Sequence, residues 1–329
     1  MVRMKKGTIL SIKNRYLLLS ALFLTTLIFG ISVGVKNINF LHFFSLSELD
    51  KTILLRIRIP RILATFIVGA GLSVTGSVLQ ATLKNPLAES YTLGISGGAS
   101  LGICVGVLMG KVLVIPFFAF IGALASVSII LTASIKKRFS NTSIILLGVA
   151  LNFLFSSFVL FLLAVVKNDK FQSTMLWLIG DFSSFPTKIL PLSFIIILCL
   201  SLYFVFSGKI YDILSLGDEK ATSLGINVEK EKRTSFFLSC IIVGLCVSLS
   251  GLIGFVGLVS PHISRYFFGT PHKKNLPATF LIGATFLMSA DTIARTLIKP
   301  IEIPVGVITG FFGGLFFLFM LLYRRERGI

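Results

Sequence analysis

Few residues in this sequence are of a type that could do chemistry, and their spacing limits what that chemistry could be. Asp291 and Arg295 stand four apart inside an apolar run, which puts both on one helical face where they can pair. Pairing offsets part of the cost of burying two charges, and it suits a structural ion pair with a snorkelling arginine as well as a contact for cargo. A proton relay would need several ionisable groups at mid-membrane, and this chain offers essentially one acid there. The 3 histidines, His42, His262 and His272, are too widely separated to form a metal centre, and His262, next to Pro261, reads as a helix-end histidine in a polar contact. The 4 cysteines, Cys104, Cys199, Cys240 and Cys246, fall inside apolar runs without paired metal spacing and read as buried small hydrophobes. No G-x-x-x-x-G-K-[ST] occurs, and Gly97-Gly98 lacks a strand-loop-helix setting, so any nucleotide hydrolysis must be done by another chain.

Two polar stretches stand apart. Arg56-Ile57-Arg58-Ile59-Pro60-Arg61 places three arginines beside an apolar run, either anchoring to headgroup phosphates or forming a cationic docking surface for an acidic soluble partner. The insertion from Lys209 to Arg233 contains Leu216-Gly217-Asp218-Glu219-Lys220-Ala221-Thr222-Ser223-Leu224-Gly225-Ile226-Asn227, which reads as a short amphipathic helix, a glycine and a turn. About four residues suffice to connect two spans, so this segment is expected to contact something, and an ATPase is the economical partner.

The elements that must position these residues are apolar helices. With 55% hydrophobic residues, 13% charged residues and mean hydropathy +0.95, a bilayer must supply much of the solvent. Runs long enough to cross about 30 Å of hydrocarbon are Tyr16–Val35, Ile62–Leu83, Tyr91–Gly110, Val112–Ile135, Ser143–Val166, Ile189–Ser207, Ser235–Ser264, Leu276–Ile298 and Ile303–Tyr323. Ser235–Ser264 is too long for one crossing and carries Gly251, Gly254, Gly257 and Pro261, so it is expected to divide in two. The expectation is an all-α membrane protein of ten helices, one domain over residues 1–329, with both termini cytoplasmic.

Threaded that way, 20 of the 31 Lys and Arg fall inside, as the positive-inside rule requires. The net charge of +18 is scattered over several stretches without a basic face, which argues against nucleic acid. The first apolar run is too long for a signal peptide and lacks an A-x-A site, so it reads as a retained span. Glycines at every fourth position, Gly98, Gly102, Gly106 and Gly110 in the third span and Gly306, Gly310 and Gly314 in the last, are expected to let helices approach closely.

From about Arg56 to the C-terminus the sequence resembles the FecCD-like permeases of iron-siderophore, haem and cobalamin ABC importers. The resemblance rests on Arg58-Ile-Pro-Arg61 leading into Val68-Gly-Ala-Gly-Leu-Ser-Val-Thr-Gly76, on Asn85-Pro-Leu-Ala-Glu89 and Leu93-Gly-Ile-Ser-Gly-Gly98, on Leu216-Gly-Asp-Glu219 with Leu224-Gly225, on Gly254-Phe-Val-Gly-Leu-Val-Ser-Pro-His262, and on Glu302-Ile-Pro-Val-Gly306. It implies a type II importer fold in the bacterial cytoplasmic membrane, a second permease subunit, two cytoplasmic ATPases using ATP and Mg, and an extracytoplasmic binding protein. No cofactor is implied for this chain. By the resemblance, Arg58, Arg61 and Arg295 match binding-protein docking positions, and Asn85, Leu87, Thr142 and Ser143 match cytoplasmic gates. Leu216, Gly217, Asp218, Glu219, Ala221, Leu224 and Gly225 match the segment that couples to the ATPase. Iron-siderophore is the expected cargo, with haem or cobalamin as alternatives and a secondary transporter or channel as a remote one. Asp181, after Met175-Leu-Trp-Leu-Ile-Gly180, is an acid where the family pattern has a small neutral residue.

Overall fold

The computed structural model describes residues 11–34, 36–38, 46–110, 114–137, 140–165, 168–183 and 185–325. His42 lies outside these, as do the basic residues Arg3, Lys5 and Lys6. The described residues form helices joined by turns and short irregular segments, with one isolated bridge between Ile298 and Ile301. Apolar sequence in lipid must satisfy its backbone hydrogen bonds within the segment, and the helix does so.

Among the described residues, seven helical segments are long and apolar enough to cross a membrane. They comprise α1 (Ile12–Ser32), α3 (Ile59–Leu83), α5 (Ile115–Lys137), α6 (Asn141–Val165), α8 (Leu190–Phe206), α11 (Val228–Ser250) and α13 (His272–Thr296). Between and beyond them lie α2 (Glu48–Ile53), α4 (Ile95–Leu108), α7 (Asn168–Ile179), α9 (Gly208–Leu214), α10 (Asp218–Ser223), α12 (Val256–Phe268) and α14 (Val305–Arg325). A π-helical turn, Leu54–Arg58, joins α2 to α3, and Pro60 sits in the first turn of α3, where its missing N–H costs nothing.

α3 is the axis of the bundle, buried along almost its whole length by α13, α11, α12 and α8. Small residues make this possible. A Cβ on Gly69 would meet the Gly283 carbonyl of α13 at 2.4 Å, and one on Gly76 would meet the Gly257 carbonyl of α12 at 1.9 Å. The expected glycine row of the third span packs against α5: Gly98 against the Gly122 carbonyl, Gly102 against that of Phe118, and Gly106 against Ile115. Gly110 has φ +77° and follows the helix end.

The last span differs from its expected pattern. Gly306 is pressed against the Ile179 carbonyl, but Gly310 and Gly314 have no neighbour within 4 Å, and Gly313 is the residue that meets Phe255. Cys104, Cys240 and Cys246 are buried as expected, whereas Cys199 is exposed on the flank of α8.

The run Ser235–Ser264 does divide, at residues 251–255. The run Tyr91–Gly110 is not helical from its start, because α4 begins only at Ile95. The preceding chain turns back beside α3 instead, with the Ser90 hydroxyl donating to the Leu72 carbonyl at 2.6 Å. Leu72 lies about 20 Å along α3 from its N-terminal end, so both α4 and α12 start deep within the bundle. Their irregular lead-in segments satisfy one another: the Tyr91 hydroxyl accepts from Ile253 N–H at 3.2 Å, and the Glu89 carboxylate accepts from Phe255 N–H. Non-helical backbone at this depth is tolerated because it is enclosed by protein.

Candidate gates and coupling segment

At the N-terminal end of α3 the sequence spacing is converted into opposite faces. Arg56 is exposed, while Arg58 and Arg61, three apart on the buried face, are each 5% exposed. Arg61 Nη2 and Nε both lie 2.9 Å from Asp291 Oδ1, and its Nη1 is 2.7 Å from Glu302 Oε2. Arg295 Nε lies 3.0 Å from Asp291 Oδ2, so the expected pair four apart on α13 forms, shared with Arg61.

The remaining donors turn to α1. Arg58 Nη1 donates to the carbonyls of Ile31 and Ser32 at 2.9 and 2.8 Å, and Arg295 donates to those of Gly30 and Val33, each at 3.1 Å. The last carbonyls of a helix lack intrahelical partners and carry its negative dipole end, so two guanidinium groups cap α1 there. Arg58, Arg61 and Arg295, which the resemblance matches to binding-protein docking positions, have these partners inside the chain, and the exposed arginine of this stretch is Arg56. The physical reason is that Asp291 and the end of α1 need cationic partners away from water.

Nearby, α7 ends against the lead-in to α12. Leu252 N–H donates to the Trp177 carbonyl at 3.3 Å, and Gly306 N–H at the start of α14 donates to the Gly180 carbonyl at 3.1 Å. Asp181 N–H donates to the Ser250 carbonyl at 2.8 Å, and its carboxylate accepts from the Ser183 hydroxyl. The unexpected acid is thus absorbed locally, where α7, α11 and α14 converge.

At the opposite end of the bundle, α3 terminates with Lys84 at φ +52° and a bond from Asn85 N–H to the Gln80 carbonyl. Asn85 Oδ1 then accepts from Leu87 N–H at 2.9 Å, closing a turn that leaves Leu87 exposed. On the facing element, Ser140 caps α6 by accepting from Ser143 N–H at 3.1 Å, with Thr142 exposed beside it. These two caps contain Asn85, Leu87, Thr142 and Ser143, the residues that the resemblance matches to cytoplasmic gates.

The coupling segment follows α9. Ala221 is fully buried, while Leu216 and Leu224, on either side of the six-residue α10, are 58% and 60% exposed. Gly217 and Gly225 have φ +119° and +84°, and a Cβ at either would meet nothing within 4 Å, so they are required by backbone conformation and not by packing. Glu219 is exposed, and Asp218, its side chain 46% exposed, reaches Lys84 and Lys232, each at 2.7 Å, while Lys232 also donates to Asn141 Oδ1 at 2.8 Å. Burial alone would raise the Asp218 carboxyl, but hydrogen bonds from Lys232 and Lys84 outweigh it and hold it below the usual carboxylate range.

Sequence reasoning missed Lys84, Lys232 and Asn141 here, and Gln80 and Arg265, whose side chains meet at 2.6 Å beside His262. His262 Nδ1 lies 2.9 Å from the Leu258 carbonyl within α12, so its polar contact is real but it is not at a helix end. His272 does begin a helix, and both its N–H and its Nδ1 lie 2.7 Å from Asp212 Oδ1. Among the described residues no His, Cys, Asp and Glu group could hold a metal ion.

This architecture has known counterparts. The hemin transport system permease protein HmuU of Yersinia pestis is 35% identical over 311 residues, covering 90% of this chain and 91% of that protein. The vitamin B12 import system permease protein BtuC of Vibrio vulnificus is 34% identical over 327 residues, covering 98% and 95%. A solved structure of a metal-chelate type ABC transporter in an inward-facing conformation superimposes with TM-score 0.87 at 28% identity, covering 95% of this chain and 99% of that one. Residues 18–323 match the model of the FecCD transport family, and the chain belongs to that family.

Proposed function

We propose that this chain is the permease of a type II importer that crosses the bacterial cytoplasmic membrane ten times, with both termini in the cytoplasm, and moves a metal chelate inward. It pairs with a second permease subunit, identical or paralogous, above two ATPases that use ATP and Mg, and receives cargo from an extracytoplasmic binding protein. The observation that carries this reading is the coupling segment. A buried Ala221 anchors α10 while Leu216 and Leu224 project outward, in a chain that has no nucleotide-binding motif of its own. Exposed apolar side chains on either side of a short cytoplasmic helix fit a cleft in another protein.

In this mechanism, closure of the ATPase pair displaces α10, and the caps at Lys84–Leu87 and Ser140–Ser143 open as the outer end around α7 and α14 closes. At the outer rim Arg56 meets an acidic binding-protein surface directly. Arg61 can join it only if the incoming carboxylate competes with Glu302, the more exposed of its two acidic partners. Arg58 and Arg295 hold the rim in place through α1.

Iron-siderophore is the cargo we propose, and haem and cobalamin are the alternatives that the named relatives support as well. Purifying the cognate binding protein and identifying its bound ligand by mass spectrometry and absorption decides among them. A ferric chelate supports the first reading, haem or cobalamin replaces it, and an amino acid or sugar would sink the chelate class altogether.

A further inference from the structure

The geometry points to Asp218 as the joint that makes the coupling helix and both cytoplasmic gate caps one mechanical unit, a positioning role within this chain and not a contact with the ATPase. This deepens the reading above and rests on it. Asp218 is the first residue of α10, and its two carboxylate oxygens reach different elements. Oδ1 is 2.7 Å from Nζ of Lys84, the left-handed residue that ends α3 and leads directly into the Asn85–Leu87 turn. Oδ2 is 2.7 Å from Nζ of Lys232, which in the same position donates to Asn141 Oδ1 at the first residue of α6.

One carboxylate therefore joins three helix ends that are distant in sequence. An open cleft of about 870 Å³, lined by Leu131 and Ile144 on one side and Thr222 and Gly225 on the other, lies beside this junction. Across that cleft, Lys232 is the bridge from α10 to the start of α6. The glycines that flank α10, Gly217 and Gly225, have open space around them, so the helix can be displaced without steric clash at its ends. Displacement of α10 is then passed to both gates through Asp218, and Glu219, exposed beside it, is left for the partner.

The test uses the permease assembled with its ATPases in nanodiscs, with the native cysteines replaced and a single cysteine at the exposed gate position Thr142. Maleimide labelling is followed with and without ATP and vanadate, so no cargo is needed. In the parent, nucleotide changes the labelling rate about fivefold or more, the range of ordinary coupling between sites. In Asp218→Asn that change is lost, while the ATPases remain bound and hydrolyse ATP; Asp218→Glu restores most of it, and Lys230→Gln, an exposed change nearby, has no effect. Lys232→Gln reproduces the loss at Thr142, because it breaks the branch to α6. An Asp218→Asn complex that keeps the full nucleotide response overturns the proposal. So does one that sheds its ATPases, since Asp218 would then belong to the docking surface. A parent that shows no response to nucleotide fails at the earlier step, the importer reading itself.

Discussion

Replacing Asp291 by Asn should loosen the end of the bundle where α3 begins, and the size of the effect follows from what each neighbour keeps. Asp291 is 1% exposed and serves Arg61 and Arg295, which are 5% and 4% exposed. Removing one partner of a buried ion pair costs about 3–5 kcal/mol because a charge is left uncompensated. Arg61 retains Glu302 at 2.7 Å, and Arg295 retains the α1 carbonyls, so the lower end applies, about 3 kcal/mol. In a chain of 329 residues that lowers the melting temperature by about 4 °C. The assay is detergent-solubilised thermal unfolding read by tryptophan fluorescence, with scan rate fixed because such unfolding is irreversible. The double variant Asp291→Asn/Arg61→Gln removes one orphaned cation together with the acid, so its loss falls short of the sum of the single losses by about 1 kcal/mol or more. A single variant that melts within about 1 °C of the wild type, or strictly additive losses, refutes the account of these arginines as internal caps and counter-charges.

Gly76→Ala places a methyl 1.9 Å from the Gly257 carbonyl and should cost about 1–3 kcal/mol, whereas Gly310→Ala, with nothing within 4 Å, should leave the isolated subunit's melting temperature unchanged. The reverse order in a thermal unfolding comparison counts against the packing assignment. Gly225→Ala should raise the protease sensitivity of the segment 209–233 without destabilising the bundle, because the cost of about 1–2 kcal/mol is in the left-handed backbone alone, and Gly225→Asn should be milder. Equal cleavage rates for the wild type and the Ala variant would contradict this. The carboxyl of Asp218 lies below its ordinary value in the folded state, so its contribution to stability is present above the unfolded value and is lost as pH falls through the folded one. Cleavage of the coupling segment by an acid-tolerant protease should therefore stay flat down to about pH 4 and rise only below it, and a rise centred near neutral pH would point to another group.

The helices were legible from composition because lipid leaves apolar chain few alternatives, and even the break in Ser235–Ser264 was signalled by Gly251 and Gly254, whereas Pro261 sits inside α12. The non-helical stretch before α4 was not, since Tyr91–Gly94 is as apolar as a helix and its conformation depends on Glu89, Ser90 and Tyr91 finding partners on α3 and the α12 lead-in. Among the candidate residues, the Asp291–Arg295 spacing on one helix correctly gave a pair. The sharing of that acid with Arg61, 230 residues away, could not be read from local spacing. The same holds at the coupling segment. Its exposed leucines and its glycines were visible in the motif, but Asp218 and Glu219 look alike in sequence, and only the fold turns one toward Lys84 and Lys232 and leaves the other outside.

The central claim is that this chain supplies a path and a coupling surface while another protein supplies the energy. The direct measurement is uptake of radio-iron-loaded siderophore, haem or cobalamin into proteoliposomes containing the permease, its ATPases and its cognate binding protein. Uptake should require ATP on the ATPase side and disappear when the ATPases are omitted. Accumulation by the permease alone, driven by an ion gradient without ATP, would contradict the account.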